Sequence, residues 1–249
     1  MKLVVFTNDE SYYGKKMIQE LEAAHIPLEA VVVIKQPLDY HLKLFNYVKR
    51  RVGWVEALVF AVKTVLEGVF KQPPETLNYE QFATTIVYTK GTNSPETERM
   101  VKALAPDVII LAQTGIVRRN ILAIPKLGTI NGHPAVLPYY RGIDCHKWAI
   151  LAGDFDKIGA TVHWVDKGVD TGNIIGVKTY ALQKDEGPDD IAWKLYLLCI
   201  DGIRDALLSL LQGQPIKGKK QEKEDGKQYY KMGLKLEREV KLKLSRYWA

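Results

Sequence analysis

The chain has 249 residues, 47% hydrophobic and 26% charged, enough to bury one sizeable core and ordinary for a globular protein. Its two cysteines, Cys145 and Cys199, exclude a disulfide-stapled scaffold and a cysteine-based metal fold. The formal charge of +6 belongs to one end: residues 213–249 hold 11 Lys and Arg against 5 Asp and Glu, and the remainder is balanced, so basicity says nothing about the main body.

Leu3–Phe6 is a short β-rich apolar run ending in the polar turn Asn8-Asp9-Glu10. The opening has no charged leader, long apolar stretch or small-residue cleavage site, so a cytoplasmic protein is expected. From Ser11 to His25, Met17, Ile18 and Leu21 suit one face of a helix stopped by Pro27, and Ala30–Ile34 is a continuous β-branched run of the kind buried on both faces of a sheet. Strand, helix, strand predicts a parallel sheet covered by helices.

Residues 38–72 depart from that rhythm. Tyr40 to Arg51 mixes aromatic and basic residues, and Trp54 to Phe70 is strongly apolar but interrupted by Glu56, Lys63 and Glu67, with Pro73-Pro74 after it. Those charges argue against a transmembrane span. The expectation is a helical insertion packed on the core or on a second subunit, which would make a homo-oligomer, with an interfacial helix at a membrane surface as the alternative.

Beyond it, Ile86–Thr89 reads as a strand and Ser94-Pro95 as the capped start of a helix running to about Leu104. Asp107–Ala112 is another buried-type strand, and Gln113-Thr114-Gly115 turns the chain at its carboxyl end, where open α/β sheets bind ligands. Extended structure resumes at Thr129. Asp144 is a candidate cap for a helix over 145–152 ended by Gly153. Ile158–Val165 alternates with Ile158, Ala160, Val162 and Trp164 on one face, and Asn173–Tyr180 makes a further strand. Pro188–Leu211 has early proline, Asp189 and Asp190 in its first turn and Gly213 beyond its end, all marks of a helix. In the tail, alternation of Val240, Leu242 and Leu244 suggests strand, whereas Leu234–Val240 suits strand or helix; the extension either covers a sheet edge or is solvated, with RNA contact a weaker reading.

The chemistry gathers between Thr129 and Gly172. Asn131 and His133, two apart in an extended segment, face the same side, and Asp170 follows on a Gly-flanked loop. An amide donor, an imidazole and a carboxylate from separate connections form an acid/base constellation if the fold closes them. The structural alternative has Asn131 capping a turn and His133 satisfied in the core. His133, His146 and His163 show no recognised ligand spacing, so no metal is expected.

Asn131-Gly132-His133-Pro134, then Val136-Leu137-Pro138-x-x-Arg141-Gly142, then Val162-His163-Trp164-Val165 and Asp170-Thr171-Gly172 resemble the formyltransferases that use 10-formyltetrahydrofolate. That family includes glycinamide ribonucleotide, methionyl-tRNA and sugar-nucleotide N-formyltransferases. The resemblance covers residues 1–211, with 38–72 outside the shared pattern. It implies an α/β, Rossmann-like catalytic domain over 1–211, with a mostly parallel sheet and helices on both faces, followed by a basic C-terminal extension over 212–249. Asn131, His133 and Asp170 match the family's catalytic trio. The resemblance also implies 10-formyltetrahydrofolate as co-substrate, held by Gln113, Thr114, Gly115, Ile116 and Val117 on one wall and by Val169, Thr171 and Gly172 on the other. Arg118 and Arg119 depart from the family pattern there and blur the pocket's edge. Asn8, Tyr139, Tyr140 and Arg141 are the candidate acceptor contacts.

The acceptor itself is inferred from what is missing. Family members acting on a ribonucleotide have a Gly-rich phosphate loop at the first turn, where this chain has Asp9 and Glu10. Family members acting on tRNA have an added C-terminal barrel, for which the residues after Leu211 are too few. A small amine is therefore expected, most often a nucleotide-linked amino sugar. A tRNA-directed enzyme or a formyltetrahydrofolate hydrolase is the second reading, and a folate-binding or assembly protein without turnover the third.

Overall fold

The computed structural model describes residues 1–35, 40–70, 79, 82 and 85–248, with side chains at all of these except 40, 41, 63–70 and 223. Pro73-Pro74 and the two ends of the 38–72 insertion lie outside the described residues.

Five runs of β-branched and aliphatic residues form parallel strands: β1 (Leu3–Asn8), β2 (Ala30–Ile34), β3 (Ile86–Thr89), β4 (Val108–Ala112) and β5 (Gly128–His133). Two further strands, β7 (Gly159–Trp164) and β8 (Ile174–Thr179), complete a seven-stranded sheet of order β3-β2-β1-β4-β5-β7-β8, the last two antiparallel. β1, β2 and β4 bury almost every side chain on both faces, as strands covered by helices must. Helices α1 (Tyr12–Ala23) and α7 (Pro188–Leu211) cover one face through Met17, Leu21, Ile203 and Leu207, while α4 (Pro95–Leu104) and α5 (Arg119–Leu122) cover the other through Val101 and Ile121.

The strand order reverses direction between β1 and β4, so a crevice opens at their carboxyl ends, the place such sheets put their ligands. Local chemistry fixes the helix starts. Ser11 accepts from the Gly14 N–H at 2.8 Å and Ser94 from the Thr97 N–H at 3.1 Å, each satisfying a first-turn donor. Asp190 accepts from the Gly187 N–H at 2.9 Å to open α7.

Residues 40–70 are helical as expected, in α2 (Tyr40–Arg51) and α3 (Trp54–Phe70). Val48 and Ala57 are buried, and the hairpin's turn leans on the tail, with the Arg51 guanidinium 4.3 Å from the Tyr230 ring. Trp54, Val55, Leu58 and Val62, spaced along one side of α3, are each at least half exposed. No described helix is long and apolar enough to cross a membrane.

The tail differs from the strand expected at Val240–Leu244. It crosses the sheet edge, pairs as β9 (Lys227–Tyr229) with the short strand β6 (Tyr140–Gly142), and ends in α8 (Leu234–Trp248). Val240 and Leu244 are buried against α6 (Cys145–Ala152) and α7, whereas Leu242 is 58% exposed. That is the i, i+4 signature of a helix rather than the period of two. Because Leu244 packs with Ala149, Ile150 and Leu195 in one cluster, Leu244→Ala is expected to cost about 2–5 kcal/mol, read from the denaturant midpoint; a midpoint equal to that of the parent chain would mean the extension is not part of the core.

Candidate active site

β5 supplies two of the three candidate side chains. Asn131 and His133 project from one face, and Gly132 between them turns to the other, where α7 approaches closely: a Cβ there would lie 2.7 Å from Cys199 Cβ. β7 runs antiparallel beside β5, so His163 is the direct partner of Asn131, and Thr161 of His133. Thr161 ties down the loop that follows, donating to the Ala135 carbonyl at 2.7 Å and accepting from the Leu137 N–H at 3.0 Å.

Asp170 enters from the loop between β7 and β8. Its Oδ2 is 3.5 Å from His133 Nδ1 and accepts the Gly142 N–H at 2.9 Å, while its Oδ1 is 3.6 Å from His163 Nε2. Asn131 Nδ2 lies 3.3 Å from the same His163 nitrogen. The three residues singled out by the sequence therefore meet, and a fourth, His163, joins them.

Backbone carbonyls set the tautomers of both rings. His133 Nε2 is 2.8 Å from the Tyr140 carbonyl and His163 Nδ1 is 2.8 Å from the Trp164 carbonyl. A carbonyl only accepts, so those nitrogens carry hydrogen, and the other nitrogen of each ring is the one turned to Asp170. Asn131 Nδ2 and Asp170 Oδ1 both face His163 Nε2, and Asp170 Oδ2 faces His133 Nδ1, so a proton on either of these inner nitrogens makes an ion pair with the carboxylate. Burial by itself raises the Asp170 carboxyl, but the charge of His133, the hydrogen bond and charge of His163 and the Gly142 N–H outweigh it, holding the group well below the ordinary carboxylate range.

Asn131, His133 and Asp170 line a cleft of about 350 Å³ together with Tyr13, Gln113 and Cys145, with His163 behind Asn131 and Asp170. Burial, then the charges of Asp170 and Asp144, push the Cys145 thiol far above the ordinary value, and the thiolate is the reactive form. Burial and the neighbouring Lys147 lower His146 to about 4, which leaves it neutral near pH 7.

A family profile described as formyl transferase matches residues 1–196. The chain belongs to that family. Methionyl-tRNA formyltransferase of Caldanaerobacter subterraneus subsp. tengcongensis is 35% identical over 133 residues, which are 53% of this chain and 43% of that protein; the chain thus matches less than half the length of this curated relative. Among solved structures, an N-formyltransferase from Helicobacter canadensis, in complex with folinic acid and dTDP-3-aminofucose, superposes with a TM-score of 0.62 at 14% identity, over 99% of this chain and 82% of that one. Glycinamide ribonucleotide transformylase 1 from Symbiobacterium toebii gives 0.57 at 16% identity, over 89% and 94%. The seven-stranded α/β fold is that of the formyl transferases.

Gln113, in a left-handed conformation with φ 62°, reaches the cleft. Beyond it the wall over 114–118 is pinned from outside: Thr92 donates to the Thr114 carbonyl, Asn93 to the Ile116 carbonyl, and Asn93 accepts the Arg118 N–H. Val117 is buried, while Ile116 is 76% exposed. Gly115 is left-handed, with φ 72°. On the Asp170 loop Val169 is 38% exposed, Thr171 donates to Asp166 at 2.6 Å, and Gly172 packs directly on the Trp164 carbonyl. Of the residues expected to hold a folate, Gln113 lines the cleft, whereas Thr114, Gly115, Ile116, Val117, Val169, Thr171 and Gly172 lie outside its lining.

The acceptor candidates divide. Asn8 holds the Gln113 carbonyl at 2.7 Å, and Tyr139 is 44% exposed with Lys157 over its ring. Tyr140 and Arg141 are buried: the Tyr140 hydroxyl donates to Asp154, and Arg141 points to Gln221 and the Glu222 carbonyl. Neither lines the cleft. Asp144 occupies the cap position of α6 in a left-handed conformation but makes no cap bond; its carboxylate accepts from the Met232 N–H and pairs with Lys231. The sequence missed His163 as a site residue. The available signal was its alternation with Trp164, which puts it on the opposite face of β7 from Ile158 and Val162.

Proposed function

We propose that this chain transfers the formyl group of 10-formyltetrahydrofolate to an amine, and that the leading acceptor is the amino group of a nucleotide-linked sugar. The observation that carries the transfer is the buried Asp170 carboxylate between His133 and His163, with the Asn131 amide beside it. The amine lone pair attacks the formyl carbon, a C–N bond forms, and the carbonyl electron pair moves onto oxygen. Asn131 N–H and the charge on His133 oppose that oxyanion in a site screened from water. Asp170 takes the amine proton, directly or through one water, and His133 relays a proton to the departing folate nitrogen as the old C–N bond breaks. No covalent enzyme intermediate is required, in keeping with the suppressed Cys145 thiol.

The acceptor reading has two supports. The first turn is consumed internally: Asn8 binds Gln113 and the Glu10 N–H, and Ser11 caps α1. With Asp9 and Glu10 beside that helix start, a phosphate monoester would meet repulsion there rather than free N–H groups. The likeness to an N-formyltransferase in complex with dTDP-3-aminofucose also runs nearly the whole chain. The 35% identity to a methionyl-tRNA formyltransferase favours the second reading, a tRNA acceptor.

A panel of nucleotide-linked amino sugars, glycinamide ribonucleotide and charged initiator tRNA, each mixed with 10-formyltetrahydrofolate, decides among them. Formylation of an amino sugar is the expected result; formylation of the tRNA alone selects the second reading, and formate release without any amine selects a hydrolase. On the acceptor used, Asn131→Ala is expected to slow single-turnover transfer by about 10²–10³-fold, the loss typical of one oxyanion donor.

A further inference from the structure

Gln221 is a buried polar residue in an otherwise exposed Lys- and Glu-rich stretch. Its Nε2 donates to two carbonyls, those of Asp170 at 3.0 Å and Gly172 at 2.6 Å, which flank Thr171. Its Oε1 accepts from Arg141 Nη2 at 3.2 Å, and Arg141 also donates to the Glu222 carbonyl at 3.0 Å. Asp170 has φ 52°, a left-handed conformation that a side chain resists unless its surroundings fix it.

The same extension supports the other half of the cluster. β9 pairs with β6, residue for residue from Tyr140 to Gly142. β6 provides the Tyr140 carbonyl that sets the His133 tautomer and the Gly142 N–H that binds Asp170. Gly142, at φ 102°, packs directly on the Tyr229 carbonyl, so strand and tail fit only with no side chain between them. Upstream, Lys219 exchanges two backbone hydrogen bonds with Ile174, just beyond the Asp170 loop.

We infer that the C-terminal extension is a positioning element of the active site, in which Gln221 clamps the Asp170 loop in its left-handed conformation and so aims the carboxylate at the two imidazoles. This rests on the role given to Asp170 above. A glutamine that merely filled space would need no pair of carbonyls flanking a single residue. Here every amide function of the side chain is spent on the Asp170 loop or on the β6 arginine.

Two variants of the full chain separate positioning from packing. Gln221→Glu keeps an acceptor for Arg141 and loses the donors to the loop, whereas Gln221→Met keeps the length and loses both. The Asp170 carboxyl, followed by ¹³C NMR against pH, needs no acceptor. The titratable groups facing it in that measurement are His133 and His163, with Cys145 beside it. The expected result is that Gln221→Glu melts within a few degrees of the parent chain, yet its Asp170 titrates upward toward the ordinary carboxylate range, with Gln221→Met doing the same. In the transfer assay kcat should fall by about 10- to 100-fold, as misplacement of a reacting group by about 1 Å would cause, with acceptor KM changed far less. An Asp170 titration and kcat in Gln221→Glu equal to those of the parent would overturn the inference, and so would loss of the folded state in both variants, since Gln221 would then be a strut of the fold. A displaced Asp170 titration in a chain that formylates no amine supports the clamp and removes the proposed activity.

Discussion

Asp170→Asn is expected to lower formyl transfer by about 10²–10⁴-fold, the range for losing a positioned proton acceptor, while the chain stays folded. The carboxylate is largely buried, accepts the Gly142 N–H and faces a nitrogen of each imidazole. An amide there keeps the size but cannot take the amine proton or balance a charged His133. The substitution also changes acid stability. The folded-state carboxyl is held below its ordinary value, so its contribution to stability is fully present above about pH 3.9 and is lost as pH falls from there toward the lower folded-state value. The parent chain should therefore lose more stability than Asp170→Asn on acidification through that window, measured as denaturant midpoints at a series of pH values. Parallel acid curves would mean that the carboxylate is not paired in solution.

Gly132→Ala is expected to lower both stability and activity through a single methyl group. The added Cβ would lie 2.7 Å from Cys199 Cβ, 3.1 Å from Ile203 Cδ1 and 3.2 Å from the Tyr13 hydroxyl. Two of these belong to α7, which is packed along the sheet and cannot retreat locally. Overpacking of this kind costs about 1–3 kcal/mol. Because Asn131 and His133 flank the site, any shift of β5 also moves both groups relative to Asp170, so activity should fall further than stability. Gly176→Ala, where a Cβ meets nothing within 4 Å, is the control for an added methyl in a strand of the same sheet. A Gly132→Ala chain as stable and active as that control would contradict the packing described.

What the sequence made legible follows from local physics. Parallel strands buried on both faces leave continuous runs such as Ala30–Ile34, and their burial shows why. Asn131 and His133 share a face because a strand repeats every two residues, and Ser94-Pro95 opens α4 because a cap and an N1 proline need only their own neighbours. Long-range partners were harder to read. His163 enters the site through antiparallel register with Asn131, and about 30 residues of intervening loop and helix hide that register. Gln221 stands in a charged stretch whose composition reads as solvated, and only the tertiary fold brings it to Asp170. Asp144 looks like a cap until Met232, far along the chain, takes its carboxylate. In the tail, Lys and Leu alternate over a few residues, which suits a strand as well as a helix. Burial of Val240 and Leu244 against α6 and α7 decides for the helix.

Transfer of an isotopically labelled formyl group in a single turnover tests the central claim most directly, with the parent chain and His133→Ala mixed in turn with 10-formyltetrahydrofolate and the amine panel. Label in the amide of one acceptor with the parent chain, and its near-complete loss with His133→Ala, is the result expected of an imidazolium paired with Asp170 at the reacting carbon. Equal transfer by both chains, or label recovered only as formate whatever amine is present, would contradict it.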